Sequence, residues 1–485
     1  MSGRTPLELI QMYWDRVYNE MEVELVREIC ADPIVRHDPE SVTSLSHDEQ
    51  IERILRTKPL RPYFTHQVLH ADDSYVTSVW NMVSRDGRNA ALCGIEVFRA
   101  QNGRFTDCWN SSYMKGRWGE AGDEFDPAAL APPPLIDSAE RIDADWLQRA
   151  FAAGGAVRVQ RIAGLGSVTP IGHGTSNAVV RVQAGYNVGR VTAPTSAICK
   201  IGKLPPRTDG SASPFAREAK AYAWFGSAPA FRVPKLYYAA SDASGLANLV
   251  LEDLSASAEP GDQIAGCSTR QAAAVVRELA RLHCAYWKSP DLDRLDWLHD
   301  PKSMAPAYAA GARVLHDWLG QRIPVEAFQV IDGFVPLVEH WLATPPAYRT
   351  VLHGDPRVDN ILFERLADGG TRACLIDWQL IRAGDPQYDL AYFLSGSLAP
   401  QDRRACEREL IALHARSIAG IDPGYTFEAA LEGYRSNIVS GLWLTGVAAS
   451  FIQRTDHNAR LLETLVARNA EAVRDWDGLR AVEAR

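Results

Sequence analysis

Excess basic charge, paired cysteines and long apolar runs are all missing from this chain of 485 residues, and each absence removes a class of protein. The 51 Lys and Arg stand against 60 Asp and Glu, a formal net charge of -9. No basic stripe occurs, which excludes broad electrostatic binding to nucleic acid, because that requires clustered cations to displace counterions. Eight cysteines (Cys30, Cys93, Cys108, Cys199, Cys267, Cys284, Cys374 and Cys406) are scattered without a CxxC pair. That pattern offers neither a zinc site nor a disulfide framework and predicts reduced core thiols. No stretch of about 18 apolar residues occurs, and Glu8, Asp15 and Glu20 interrupt the first helical pattern, so neither a membrane span nor a signal peptide is expected. The expected location is the cytoplasm. A hydrophobic share of 46% and a charged share of 23% are those of folded globular chains. The length predicts about two to four domains.

What is present speaks most clearly between Val351 and Asn360, Val-Leu-His-Gly-Asp-Pro-Arg-Val-Asp-Asn, followed by Leu375-Ile-Asp-Trp378. A hydroxyl attacking a nucleoside triphosphate needs a carboxylate to orient it and take its proton, and side chains that hold magnesium against the phosphates. Asp355, Asn360 and Asp377 supply those parts. The interval from Asp355 to Asn360 equals that from the catalytic Asp to the metal-binding Asn in the kinase template H-R-D-x-x-x-x-N. Asp355 is the candidate base, ionised at neutral pH. Asn360 and Asp377 are the candidate metal ligands, hard oxygen donors of the kind magnesium takes in small number. His353 is expected to brace the loop. Arg357 stands where it meets phosphate or pairs with a surface carboxylate, and Asp359 faces another way as a surface or supporting acid.

Upstream, the parts a phosphate-binding lobe needs occur in order. Ile171-Gly-His-Gly-Thr-Ser-Asn177 is a turn between the strand patterns Val157 to Ile162 and Ala178 to Gln183. Gly172 and Gly174, with Thr175 and Ser176, can bring backbone amides close to phosphates. Ala197-Ile-Cys-Lys-Ile201 is an alternating strand with Lys200 among apolar neighbours, and the helical stretch Phe215 to Tyr222 places Glu218 to pair with it. Asn248 to Leu254 reads as a strand ending at a hinge, with Glu252 and Leu254 where an adenine edge pairs with backbone; Glu252 reads equally as a strand-end charge. Ser268 to Trp287 is a long buried helix capped by Ser268 or Thr269, with His283 a packed core histidine.

The first 119 residues have a different pattern. Pro6 to Cys30 has helical spacing. His66 to Leu69, Tyr75 to Val83, Ala90 to Arg99 and Arg104 to Tyr113 alternate apolar with polar residues and are separated by turns such as Asp86-Gly87 and Asn102-Gly103. Helices followed by an antiparallel sheet make an α+β unit. Consecutive prolines near 132 to 134 favour an extended spacer, so residues 120–141 are the expected linker. The domains expected after it are a nucleotide-side lobe at 142–254 and a mainly helical lobe at 255–485.

On Ile34-Val-Arg-His-Asp-Pro39, Gly94-Ile-Glu-Val-Phe-Arg99 and Gly103-Arg-Phe-Thr-Asp-Cys-Trp109, the N-terminal region resembles the SnoaL-like polyketide cyclases of the ketosteroid isomerase superfamily. The resemblance implies a cone-shaped α+β barrel around an apolar cavity, with His37, Asp38, Trp80 and Asn110 as pocket candidates. Some members use an Asp after the last-strand Trp as base; here Asn110 stands there, and an amide cannot take a proton at neutral pH. Lyase or isomerase chemistry would need another group, such as His37. By analogy the domain pairs as a homodimer.

The glycine turn, Lys200 with Glu218, Leu251-Glu-Asp-Leu254, Leu352 to Ile361, and Leu375 to Gln379 with Gly384-Asp-Pro-Gln-Tyr-Asp-Leu-Ala391 together resemble the aminoglycoside phosphotransferase and choline kinase superfamily over about residues 142–470, especially its ecdysteroid kinase-like branch. The resemblance implies a two-lobed protein-kinase-like fold, ATP and magnesium as cofactors, and a small-molecule alcohol as acceptor. It also implies that Asp389 ties the catalytic loop backbone. The acceptor site is expected along Tyr425 to Phe451, where aromatics such as Tyr434 and Trp443 offer faces to a ligand or, as most of them should, pack in the core; few acids occur there, which favours a relatively apolar alcohol over a polycationic aminoglycoside. The other readings are an aminoglycoside-type antibiotic phosphotransferase and a non-catalytic nucleotide-binding sensor with a ligand-binding N-terminal domain. No nucleic acid or membrane partner is expected.

Overall fold

Side-chain caps explain where the first elements begin. Thr5 accepts from the backbone of Glu8 while Glu8 returns a bond to Thr5, a capping box with Pro6 at the first helical position. Helix α1 (Pro6–Gln11) runs into a π-helical segment, Met12–Tyr18, that buries Tyr13, Trp14, Val17 and Tyr18. The single helix expected from Pro6 to Cys30 stops there. Asn19 exchanges two hydrogen bonds with the backbone of Phe64, at 2.9 and 2.7 Å, and Met21 takes a left-handed φ of 56°. A side chain that bonds strand backbone competes with helical continuation. The chain resumes with α2 (Val26–Ile29) and enters β1 (Cys30–Asp38).

This computed structural model describes residues 4–60, 62–84, 91–111, 113–118, 130–156, 161–171, 177–186, 193–204, 212–226 and 228–484. After β1 come β2 (Ser41–Leu45), α3 (His47–Leu55), β3 (Pro62–Ala71), β4 (Tyr75–Ser84), β5 (Leu92–Gln101), β6 (Arg104–Asn110) and the short β7 (Met114–Lys115). They form a seven-stranded sheet ordered β2-β1-β6-β5-β4-β3, with β7 on β5. All its neighbours are antiparallel except β1 and β6, which run parallel. Leu9, Tyr13, Trp14 and Val17 from the helical segments share one core with Phe64, Val76, Trp80, Phe98 and Phe105 of the sheet. This is the α+β unit the alternation predicts. The Asp86-Gly87 turn lies outside the described residues.

The chain divides into two compact units, one of Met1–Pro134 with Asp143–Gly166 and Gln183–Thr195, the other of Leu135–Ile142 with Ser167–Val182 and Ser196–Arg485. Helix α4 (Ala144–Ala153) is capped by Asp143. Strand β8 spans Ile162–Pro170, later than the stretch expected from Val157, of which residues 157–160 lie outside the described set. A five-stranded sheet is ordered β11-β12-β10-β9-β8, with β9 at Asn177–Tyr186, β10 at Ser196–Lys203, β11 at Leu236–Ser241 and β12 at Leu246–Glu252. The end of the expected linker is not a free spacer, since the backbone of Ile136 exchanges bonds of 2.8 and 2.7 Å with the side chain of Asn248.

Helix α5 (Pro214–Phe225) follows β10, and after β12 come β13 (Ala258–Pro260) and α6 (Thr269–Ala285), which starts at a capping box of Ser268 and Gln271. Then follow α7 (Ala305–Leu319), α8 (Val325–Phe334), α9 (Val338–Ala343), β14 (Thr350–Leu352), β15 (Ile361–Arg365), β16 (Thr371–Leu375) and β17 (Arg382–Gly384). Strand β14 pairs with β17, and β15 lies between β13 and β16. Helix α10 (Gln387–Ser397) is buried at every position, so it is the axis of the helical part. Helices α6, α11 (Pro400–Ala419), α12 (Phe427–Asn437), α13 (Ser440–Ala449) and α14 (Asp456–Asp475) all touch it, and α15 (Gly478–Glu483) packs on α12 and α14.

Candidate active site

Strand pairing sets the first functional group. Antiparallel β10 and β12 place Lys200 opposite Leu249. Ser213 caps α5, and Pro214 at its first position starts the helix that buries Glu218. The Lys200 Nζ donates to Glu218 Oε1 at 2.6 Å. Burial works against the ammonium, yet the carboxylates of Glu218 and Asp377 outweigh it and raise the Lys200 pKa. The Glu218 carboxyl is raised by burial, against the pull of Lys200 and of the Trp378 backbone N–H.

The antiparallel pair of β14 and β17 anchors the loop after β14 that carries the candidate base. Gly354 has φ 87°, and a Cβ there would overlap the Leu380 carbonyl oxygen, so glycine is required. Asp389, fully buried on α10, accepts from the backbone N–H of His353 at 2.7 Å and of Gly354 at 3.0 Å. His353 spans the loop, with Nε2 donating to the Ile376 carbonyl at 2.9 Å and Nδ1 accepting from the Asp355 N–H at 3.3 Å. The bracing expected of His353 and the tie expected of Asp389 are both present in this geometry.

Asp355 is surrounded by groups that orient its carboxylate. Tyr392 donates to Oδ1 at 2.6 Å; Asn360 Nδ2 donates to Oδ2 at 3.2 Å and to the Asp355 carbonyl at 2.9 Å. Arg357 Nε lies 3.8 Å from Oδ2. Burial raises the Asp355 pKa, and Asp377 adds to the rise, while Arg357 and Tyr392 oppose it. Asp377 holds a left-handed φ of 66°, a conformation that Asp tolerates better than most residues, and its buried Oδ1 has no hydrogen-bond partner among the described residues. A buried carboxylate oxygen left unpaired is costly, and it fits a cation. Asn360 uses its amide nitrogen on Asp355, which turns its oxygen away from that carboxylate. These two residues therefore have the donors magnesium takes. Among the described residues no cluster of three or more His, Cys, Asp and Glu side chains forms a metal cage.

Lys200, Glu218, His353, Asp355, Arg357, Asn360, Asp377 and Asp389 thus lie in one unit as a connected set. Gly172, Gly174, Thr175 and Ser176 lie outside the described residues. Glu252 does not join the set. It pairs with Arg232 at 3.0 Å and accepts from the Lys235 N–H at 3.0 Å, which makes it a strand-end pin, and the Leu254 side chain is buried. Tyr434 and Trp443, expected to offer acceptor faces, are core residues; the Tyr434 hydroxyl donates to Glu407 at 3.3 Å. An almost wholly apolar helix such as α13 buries its aromatics whether or not a ligand is near.

The N-terminal candidates belong to the other unit. His37 and Asp38 close β1 rather than a loop. The His37 ring stacks on Trp109 at 4.6 Å and meets Asp107 at 3.2 Å, while Asp38 pairs with Arg36 at 3.0 Å. Trp80 is a core side chain with its ring edge-on to Tyr113, and buried Asn110 exchanges bonds with Cys108.

Three contributors escaped the sequence reading. Tyr392 was findable, since it lies three residues beyond Asp389 on the same helix. Gln263 was not: it donates from its backbone to Asp359 at 2.8 Å, accepts from the Val358 N–H at 2.7 Å and bonds the Gly396 carbonyl at 2.7 Å, ties made by folding alone. Buried Arg217 likewise reaches the Gln379 carbonyl at 2.7 Å and steadies the segment after Asp377.

The profile of the phosphotransferase enzyme family matches residues 167–430, more than half of the chain. The chain belongs to this family. The phosphotransferase is similar to choline kinase from Cryptosporidium parvum Iowa II, at 11% identity over 66% of this chain and 92% of that one, TM-score 0.42. It is also similar to a thermostable mutant of aminoglycoside phosphotransferase APH(4)-Ia in ternary complex with ADP and hygromycin B, at 16% identity over 64% and 95% of the two chains, TM-score 0.37. Its N-terminal region is similar to a candidate polyketide cyclase from Acidithiobacillus ferrooxidans, at 21% identity over 23% of this chain and 89% of that one, TM-score 0.20. Among the curated proteins none matches the chain. No helix among the described residues is long and apolar enough to cross a membrane.

Proposed function

We propose that this phosphotransferase moves the γ-phosphoryl group of ATP, with magnesium, to a hydroxyl of a small-molecule alcohol, and that Asp355 is the base. The observation that carries this is the Oδ1 of Asp377, without a hydrogen-bond partner among the described residues, together with an Asn360 whose amide nitrogen is already committed to Asp355. Asn360 and Asp377 would hold the metal, which when bound neutralises charge on the triphosphate. Lys200, fixed by Glu218, supplies a positive charge to the same phosphates. Arg357, whose Nε has no hydrogen-bond partner among the described residues, faces the transferring group. Asp355 accepts a hydrogen bond from the attacking hydroxyl and takes its proton; a pKa raised by burial makes it a better acceptor than a solvated carboxylate.

The acceptor we favour is a relatively apolar alcohol, the class the acid-free stretch Ser436 to Phe451 suggested in the sequence, although most of that stretch is buried in the core. The test is a panel of alcohols, aminoglycosides included, screened for ATP-dependent phosphorylation by mass. One acceptor should gain a phosphoryl group with the native protein and not with Asp355→Asn. Full activity of that variant would remove Asp355 from the role of base. Binding of ATP by the native protein without phosphorylation of any acceptor would favour a sensor instead.

A further inference from the structure

The catalytic loop hangs on Asp389, and a buried relay hangs on Asp389 in turn. Its Oδ2, besides taking the His353 N–H, lies 3.2 Å from His283 Nε2. His283 Nδ1 is 2.8 Å from His414 Nε2, His414 Nδ1 is 3.1 Å from Gln387 Nε2, and that amide nitrogen is 2.8 Å from the Tyr425 hydroxyl. His283 comes from α6, His414 from α11, Asp389 and Gln387 from α10, and all four are completely buried. Four polar side chains from three helices have been brought together at a considerable desolvation cost.

Donor and acceptor rules fix the direction of the relay. A carboxylate accepts only, so His283 donates from Nε2. A neutral imidazole then has Nδ1 as its acceptor, so His414 donates from Nε2, and its own Nδ1 accepts from the Gln387 amide. Every link points a proton toward Asp389. Burial, with the neighbouring His283, drives the His414 pKa well below the ordinary histidine value and keeps that ring neutral. Turned over, the Gln387 amide would satisfy its own oxygen but force a proton onto His414 Nδ1 and two onto His283, sealing an imidazolium in the core.

We propose that His414 and Gln387 are positioning residues that hold His283 in the tautomer donating to Asp389, and that Asp389 thereby fixes the His353 and Gly354 backbone that aims Asp355. Only the catalytic consequence rests on Asp355 being the base; the relay itself is tested without turnover. In the full chain labelled with 15N-histidine, with resonances assigned through His283→Gln and His414→Gln, both rings should be neutral and protonated on Nε2 at pH 7.5. A His283 ring protonated on Nδ1, alone or as imidazolium, would overturn the proposal.

Hydrogen exchange gives the second readout. His414→Leu and Gln387→Leu should each raise exchange of the 351–355 amides by about tenfold or more while leaving α14 amides unchanged. His414→Gln, whose amide can donate to His283 Nδ1, should restore protection. Equal loop exchange in the native and Leu variants would overturn the proposal, as would failure of the Gln variant to protect better than Leu. With a working acceptor, the Leu variants should lower kcat and leave the KM for ATP unchanged. A loosened loop with undiminished kcat would contradict the assignment of Asp355 and leave the relay standing.

Discussion

Both units bury charge, but only one leaves it unspent. In the N-terminal unit Arg36 reaches the Tyr113 hydroxyl at 2.7 Å and Asp38 at 3.0 Å, Tyr113 donates to Glu96 at 3.2 Å, and Arg53 bonds Tyr18 at 3.0 Å and Gln50 at 3.3 Å. Burial raises the Glu96 carboxyl while Arg36, Arg53 and the Tyr113 bond draw it back. Each of these acids and bases is answered by another side chain, and the network is closed. Around Asp355 the same residue types are arranged with an acceptor to spare, the Asp377 Oδ1, and with an arginine whose Nε has no hydrogen-bond partner among the described residues. Saturated buried charge specifies a fold; unsaturated buried charge is poised for a ligand.

The largest effects should come from the site that holds the unspent groups. Asp355→Asn is expected to lower turnover by about 10²–10⁴-fold, read in the acceptor assay, with ATP binding retained. The same variant should melt higher than the native protein at neutral pH. With its pKa raised in the fold, the Asp355 carboxyl ionises more readily when unfolded, so stability falls as pH rises from the ordinary carboxylate range through the folded pKa. Removing the charge removes that loss. A lower melting temperature would show the carboxylate to be structural, as in the closed network.

Next in size, Gly354→Ala places a Cβ on the Leu380 carbonyl at a left-handed φ and should cost about 3 kcal/mol or more in denaturant unfolding. Tyr392→Phe should act on pH dependence. Asp355 must be ionised to take a proton, so activity is present above its pKa and lost as pH falls through it. Deleting a hydrogen bond that favours the ionised form raises that pKa, and the acid limb of kcat/KM should move to higher pH. A limb that stays in place would remove Tyr392 from the site. The smallest effect is expected in the closed network, where Glu96→Gln keeps the Tyr113 contact and Arg36 retains Asp38. Unfolding should change by about 1 kcal/mol and phosphoryl transfer not at all.

The difference between the units also marks what the sequence could disclose. The gathering of Asp355, Asn360, Asp377, Lys200 and Glu218 in one place was legible because the kinase template sets their types, order and spacing. The first helix and strands β3 to β6 of the N-terminal unit were legible from period, but β1, β2 and α3 were not read, nor was the break at Asn19, where a side chain bonds a strand 45 residues away. Glu252 was read both as a hinge position and as a strand-end charge, and its side-chain partner Arg232, 20 residues earlier, gave no local sign of the pairing. Tyr434 and Trp443 looked like a ligand face because an aromatic that lines a pocket and one that fills a core leave the same mark in a sequence. His283 was rightly placed in the core, but its partners His414 and Asp389 are 131 and 106 residues away, beyond any motif.

If Asn360 and Asp377 hold the metal of an ATP complex and Asp355 serves only the acceptor, the two roles separate in nucleotide binding. Calorimetric titration of the full chain with ATP, with and without magnesium, tests this in the native protein, Asp355→Asn and Asp377→Asn. The account predicts magnesium-dependent binding that survives in Asp355→Asn and is lost in Asp377→Asn. Undiminished magnesium-dependent binding by Asp377→Asn would contradict it.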